Sequence, residues 1–150
     1  MEWFVRAFLR ASLVWLGLGV TLGVAMAVHP AWIVYRPAHL HMNLLGFVAM
    51  MIFGVALHVI PRFTGRPLHS ARLAGAQWWV SNGGLASMLI GFVLRAEGIA
   101  GATIMLGSGG VASAIGAYGF IYNIWRTIGA SEMQARRPEG RPLPTLIRQQ

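Results

Sequence analysis

Four apolar runs, each about twenty residues or a little longer, constrain this chain more than any other feature. They cover roughly residues 8–28, 39–60, 73–94 and 99–125. A helix of about 20 residues crosses the roughly 30 Å hydrocarbon layer of a bilayer. Only 11% of the residues are charged, against roughly 25% in a soluble domain. The chain therefore reads as an all-α integral membrane protein. One four-helix transmembrane domain is expected over 1–128, followed by a basic, proline-containing cytoplasmic tail over 129–150. The first run follows Arg6 and Arg10 and ends in a small-residue segment, as a signal peptide would. We read it as a membrane helix that stays in the protein.

The charges set an orientation. All twelve basic residues are arginine, aspartate is absent, and the four glutamates lie outside the apolar runs. Arg6 and Arg10 flank the start of the first run. Arg62, Arg66 and Arg72 fill the second loop, and Arg126, Arg136, Arg137, Arg141 and Arg148 follow the fourth run. The first and third loops hold one arginine each, Arg36 and Arg95. The positive-inside rule then places both termini in the cytoplasm. A net charge of +8 would ordinarily raise nucleic acid as a partner. Arginines distributed between membrane segments argue for topology instead, with lipid as the partner and no nucleic acid. Trp32 and Tyr35 on one side, and Trp3, Trp78, Trp79 and Trp125 on the other, suit interfacial belts.

Small residues recur in the fourth run. Gly98, Gly101, Gly107, Gly109, Gly110, Gly116 and Gly119 lie along it, with Ser108–Ala112–Gly116 and Gly109–Ser113–Ala117 at four-residue spacing. Such stripes allow close helix approach in lipid, either inside the four-helix unit or between subunits. Asn82, Gly83 and Gly84 mark a similar contact, or a local weak point, in the third run.

With no cysteine in the chain, thiolate metal sites and covalent c-type haem are excluded. Five histidines are present. His39 and His58 are separated by about 28 Å along a helix, so they cannot share one metal ion within a protomer. His58 reads as an interfacial residue, His69 as a solvated loop residue, and His29 as a residue at the helix end before Pro30. His39 and His41 differ from these. Pro37 suits a first helical turn, and two positions along a helix turn through about 200°, so the two rings face opposite ways. Such a pair serves two separate sites more readily than one. Neutral imidazole is a natural axial ligand of haem iron. Counted at the same 100° per residue, Asn43, Gly46, Met50, Gly54 and Leu57 fall near the His39 face. Leu45, Val48 and Ile52 follow His41, and a flat macrocycle could lie against either face. Met42, Met50 and Met51 offer soft copper ligands, although methionine at helical spacing is more often packing.

The segment Leu40-His41-Met42-Asn43, continued by Gly54 and Pro61, resembles the second helix of the catalytic subunit of the haem–copper oxidase superfamily. The likeness is nearest to nitric oxide reductases and cbb-type oxidases, with Met42 where that family has threonine. The resemblance implies that His41 is an axial ligand of a low-spin haem b near the outer side of a prokaryotic cytoplasmic membrane, in a multi-pass protein. It also implies a role for Arg36 beside the haem propionates. The family subunit has twelve helices in three arcs of four with pseudo-threefold symmetry, so a four-helix chain suggests a homotrimer. A histidine–x–histidine pair on the family's tenth helix serves two adjacent haems. His39-Leu40-His41 is similar to that pair moved to helix two. Each trimer interface would then hold one haem b between His39 of one protomer and His41 of the next, with Arg36 and Asn43 nearby.

Six-coordinate iron leaves no open position for oxygen or nitric oxide. No carboxylate lies inside a predicted span to relay protons. The expected task is electron transfer, with quinol and an outer acceptor as candidate partners, or haem handling, rather than a complete oxidase or reductase. Two alternatives stand beside it. One is a gas-responsive haem protein or small reductase with a labile ligand. The other is a copper site built from His29, His39 and His41.

Overall fold

A computed structural model describes residues 1–135 of the chain; residues 136–150, most of the expected tail, lie outside the described residues. Helix α1 is Trp3–Val28, and a short 3-10 turn Pro30–Tyr35 follows it. Helix α2 covers 36–63 in three joined parts: α-helix over Arg36–His41, π-helix over Met42–Ala49 and α-helix over Met50–Phe63. Helix α3 is Ala71–Ala96 and helix α4 is Ala102–Ala135. No strand occurs among the described residues.

Among the described residues, three segments are long and apolar enough to cross a membrane: Trp3–Val28, Pro30–Phe63 and Ala102–Gly129. Helix α3 matches α1 in length at 26 residues. It is less apolar, because it carries Gln77, Ser81 and Asn82 within and Arg72 and Arg95 near its ends. Large apolar side chains such as Val14, Val24, Ile104 and Trp125 stay exposed along the helices. That suits a surface solvated by lipid.

Several boundaries differ from the sequence reading. Helix α1 begins five residues earlier than expected, at Trp3, so Arg6 lies within it, as Arg10 does, and not before it. Exposed arginines tolerate this, because their aliphatic stems lie along apolar surface while the guanidinium reaches water. Pro61 does not end α2, which continues to Phe63. Gly65, at φ +65°, stops it. There the N–H of Gly65 donates to Arg62 O and that of Arg66 to Pro61 O, a Schellman closure that needs a left-handed residue. Gly98 and Gly101 belong to the α3–α4 turn and not to α4, with φ of +67° and +91°. Helix α4 in turn extends to Ala135, taking in residues 129–135 that were expected to begin the tail.

The helices run up and down, with the α1–α2 and α3–α4 connections at one end and the α2–α3 loop at the other. The Tyr35 hydroxyl donates to the Glu97 carboxylate, tying the α1–α2 connection to the α3–α4 turn. At the opposite end, the buried Asn123 on α4 clamps the loop before α3. Its Oδ1 accepts from the Ser70 N–H at 2.9 Å and its Nδ2 donates to Ser70 O at 2.8 Å. Ser70 also caps α3, its hydroxyl accepting from the Leu73 N–H. Asn123→Leu leaves the buried Ser70 N–H without its partner, while Ser70 O keeps the Ala74 N–H at 3.2 Å. Chemical denaturation in detergent is expected to show a loss of about 2 kcal/mol.

Lipid provides little hydrophobic drive for one helix to bury against another, so close backbone contact has to hold them. The α3–α4 pair shows it. A Cβ built on Gly84 would lie 2.7 Å from Ser113 N and 2.9 Å from Gly109 O, and one on Gly109 would lie 2.6 Å from Gly84 O. Gly116 packs on Ser81 and Gly91 on Leu106. The Gly109–Ser113 stripe, together with Gly116, is thus used inside the protomer. Asn82 links α1 to α3, its Oδ1 accepting from Trp15 Nε1 at 3.0 Å. The core is shared by Phe4, Val5 and Phe8 of α1, Met50 and Leu57 of α2, Ala74 and Leu85 of α3, and Ile124 of α4.

Candidate functional site

The interior stripe of α2 is Ala38, Met42, Gly46, Met50, Gly54 and Leu57, all buried. Four consecutive steps of four residues do not suit a regular α-helix. Each step overshoots a full turn by about 40° at 100° per residue, so the stripe would wind off the contact face. The wider i→i+5 turns over Met42–Ala49 absorb that drift and keep the stripe facing α1 and α3. This corrects the face assignment made at a constant 100° per residue. Gly46 is filled by Trp15 and approached by Leu85, and Gly54 is filled by Phe8 and Leu9. The glycine-notched face is protein interior and offers no surface to a macrocycle.

His39 and His41 precede the π segment and flank the stripe on opposite sides. His39 lies against α1. Its ring rests on Gly23, where a Cβ would come within 2.8 Å of Cε1, and its Nδ1 is 2.8 Å from Gly19 O. A carbonyl only accepts, so Nδ1 carries the proton and Nε2 presents a lone pair. Asn43 Nδ2 lies 3.4 Å from the same Nδ1 and 2.8 Å from His39 O. With Nδ1 already a donor, the shorter contact is the hydrogen bond, and Asn43 braces the His39 backbone. Gly19 leaves room for the Asn43 side chain, where a Cβ would clash at 2.7 Å.

His41 points toward α3, its ring centroid 4.7 Å from that of Phe92. Its Nδ1 lies 2.8 Å from Pro37 O, one turn back. The same argument protonates Nδ1 and leaves Nε2 as acceptor. Neither Nε2 has a hydrogen-bond partner among the described residues. Both rings are half-buried. A histidine whose Nδ1–H is held by a backbone carbonyl has its tautomer and orientation fixed for ligation through Nε2. The donor set therefore fits haem iron, one imidazole leaving each flank of α2.

No protein-family model matches this chain, and no curated protein matches it. The likeness to the oxidase subunit consequently rests on the Leu40-His41-Met42-Asn43 segment and its continuation.

Other candidate residues lie apart. His29 closes α1, its N–H donating to Ala25 O while its ring lies beside Trp32. No group of three metal-ligating side chains of the His, Asp or Glu type forms among the described residues, so His29, His39 and His41 do not converge as a copper cluster would require. Met42 and Met50 are buried in the stripe. Arg36 is exposed beside the 3-10 turn. At the far end of α2, Arg62 Nη1 lies 2.8 Å from His58 Nε2 and donates to His58 O at 2.9 Å. His69 is exposed near Tyr122, with its N–H donated to Thr127 Oγ1.

Sequence reasoning missed the seat of His39. Its signal was present as Gly19 and Gly23, four apart on α1 and matched to His39 and Asn43, four apart on α2. Phe92 left no comparable signal.

Proposed function

We propose that this protein is a b-type haem protein of the prokaryotic cytoplasmic membrane, a minimal four-helix relative of the haem–copper oxidase catalytic subunit. In this reading α3 crosses the membrane with the other three helices, and both termini face the cytoplasm. Three protomers form a ring in which each interface holds one haem between His39 of one chain and His41 of its neighbour. The observation that carries the reading is the pair of imidazoles on opposite flanks of α2, each with Nδ1–H held by a backbone carbonyl and Nε2 without a partner among the described residues. Bound in this way, haem b supplies one-electron redox chemistry without an open coordination position. Gly19 and Gly23 seat His39, Pro37 and Phe92 set His41, and Asn43 braces the helix between them. Arg36, exposed at the same end, is placed to pair with a propionate through charge-assisted hydrogen bonds. The role is electron transfer inside the membrane, with quinol as the donor class and an acceptor on the outer side, or haem handling.

The test is a visible spectrum of the detergent-purified protein, oxidised and dithionite-reduced, with haem quantified per chain and mass measured by light scattering. Sharp low-spin bands at one haem per chain in a trimer are expected. A haem-bound monomer or a fractional haem content would overturn the shared pocket.

A further inference from the structure

The end of the bundle away from His39 carries most of the described positive charge: Arg6, Arg10, Arg62, Arg66, Arg72 and Arg126, against Arg36 and Arg95 at the other end. Between the start of α1 and the Schellman turn after α2 lies a cavity of about 530 Å³. Phe4, Leu57 and Leu68 give it apolar walls, and Arg62 and Arg66 a basic rim beside the His58 imidazole, with Glu2 the one carboxylate lining it among the described residues. The rim follows from local folding. Gly65 turns the chain back so that the Arg66 N–H bonds Pro61 O, which brings Arg66 over the helix end beside Arg62. Arg62 is engaged by the His58 carbonyl. The half-buried Arg66 side chain has no hydrogen-bond or ion-pair partner among the described residues.

We propose that this cavity binds an anionic phospholipid, with the phosphate between Arg62 and Arg66 and the upper acyl chain against Phe4, Leu57 and Leu68. Two arginines and an apolar wall lining one cavity match the two halves of such a lipid, whereas a soluble anion would use only the rim. Basic pockets between membrane helices recognise acidic headgroups in this manner. The assignment is independent of the haem site at the opposite end.

The full-length protein is reconstituted in equimolar phosphatidylglycerol and phosphatidylcholine, extracted gently, and its retained lipid measured by native mass spectrometry. Phosphatidylglycerol is expected to exceed phosphatidylcholine by about tenfold or more, and Arg66→Gln to cut that preference about fivefold. Arg95→Gln, at the other end, is expected to leave it unchanged. Arg66 makes no side-chain hydrogen bond among the described residues, so its variant keeps the test independent of stability. Equal retention of the two lipids, an undiminished preference in Arg66→Gln, or an equal loss in Arg95→Gln would overturn the site. Displacement of the retained lipid by millimolar inorganic phosphate would also overturn it, pointing to a soluble anion instead.

Discussion

His39→Ala and His41→Ala are each expected to lower bound haem by more than about tenfold, while helical content by circular dichroism stays unchanged. Each proposed pocket takes one imidazole from each position, so removing either one disables all three pockets of a trimer. This separates the shared arrangement from a site within one protomer that uses a single histidine, where one of the two variants would keep its spectrum. Gly23→Leu sharpens the test. A side chain there meets the His39 ring, since even a Cβ falls 2.8 Å from Cε1. It should lower haem content by displacing the His39 ring while both ligand residues stay in the sequence. His58→Ala and His69→Ala should leave the spectrum unaltered, both residues lying at the other end of the bundle. Retention of low-spin haem in both His39→Ala and His41→Ala would sink the proposal.

Gly84→Val is expected to destabilise the α3–α4 pair strongly. Its Cβ would sit 2.7 Å from a backbone nitrogen of α4 and 2.9 Å from a backbone oxygen. Neither atom is the end of a flexible side chain, so the helices themselves must separate. Overpacking of this kind costs about 3 kcal/mol, visible as a lower thermal midpoint and loss of a monodisperse peak in detergent. Gly110→Ala should do the opposite. No atom approaches within 4 Å of a Cβ there, so the variant gains roughly 0.5–1 kcal/mol of helix propensity. If Gly110→Ala instead breaks the oligomer, the outer face of α4 is a subunit contact. If Gly84→Val is neutral, the close approach of α3 and α4 is wrong.

Much of the architecture was legible in the chain itself. Runs of apolar residues long enough to span a bilayer, with polar loops between them, admit only helices in lipid, because every backbone donor and acceptor must be satisfied within its own segment. The spacing of His39 and His41 put them on opposite flanks for the same local reason, since only one ordinary turn lies between Pro37 and His41. Beyond Met42 the count at 100° per residue failed. The π turns of α2 exist to keep a four-residue stripe aligned with α1 and α3, and that demand comes from partners distant in sequence. The stripes of small residues were equally visible in α4, but their use was not. Only the packed structure assigns Gly109, Ser113 and Gly116 to α3, and fills Gly46 and Gly54 with Trp15 and Phe8. The same holds for the ligand tautomers. A sequence names an imidazole; which of its nitrogens is free depends on whether a carbonyl such as Gly19 O, twenty residues away, lies within hydrogen-bond reach.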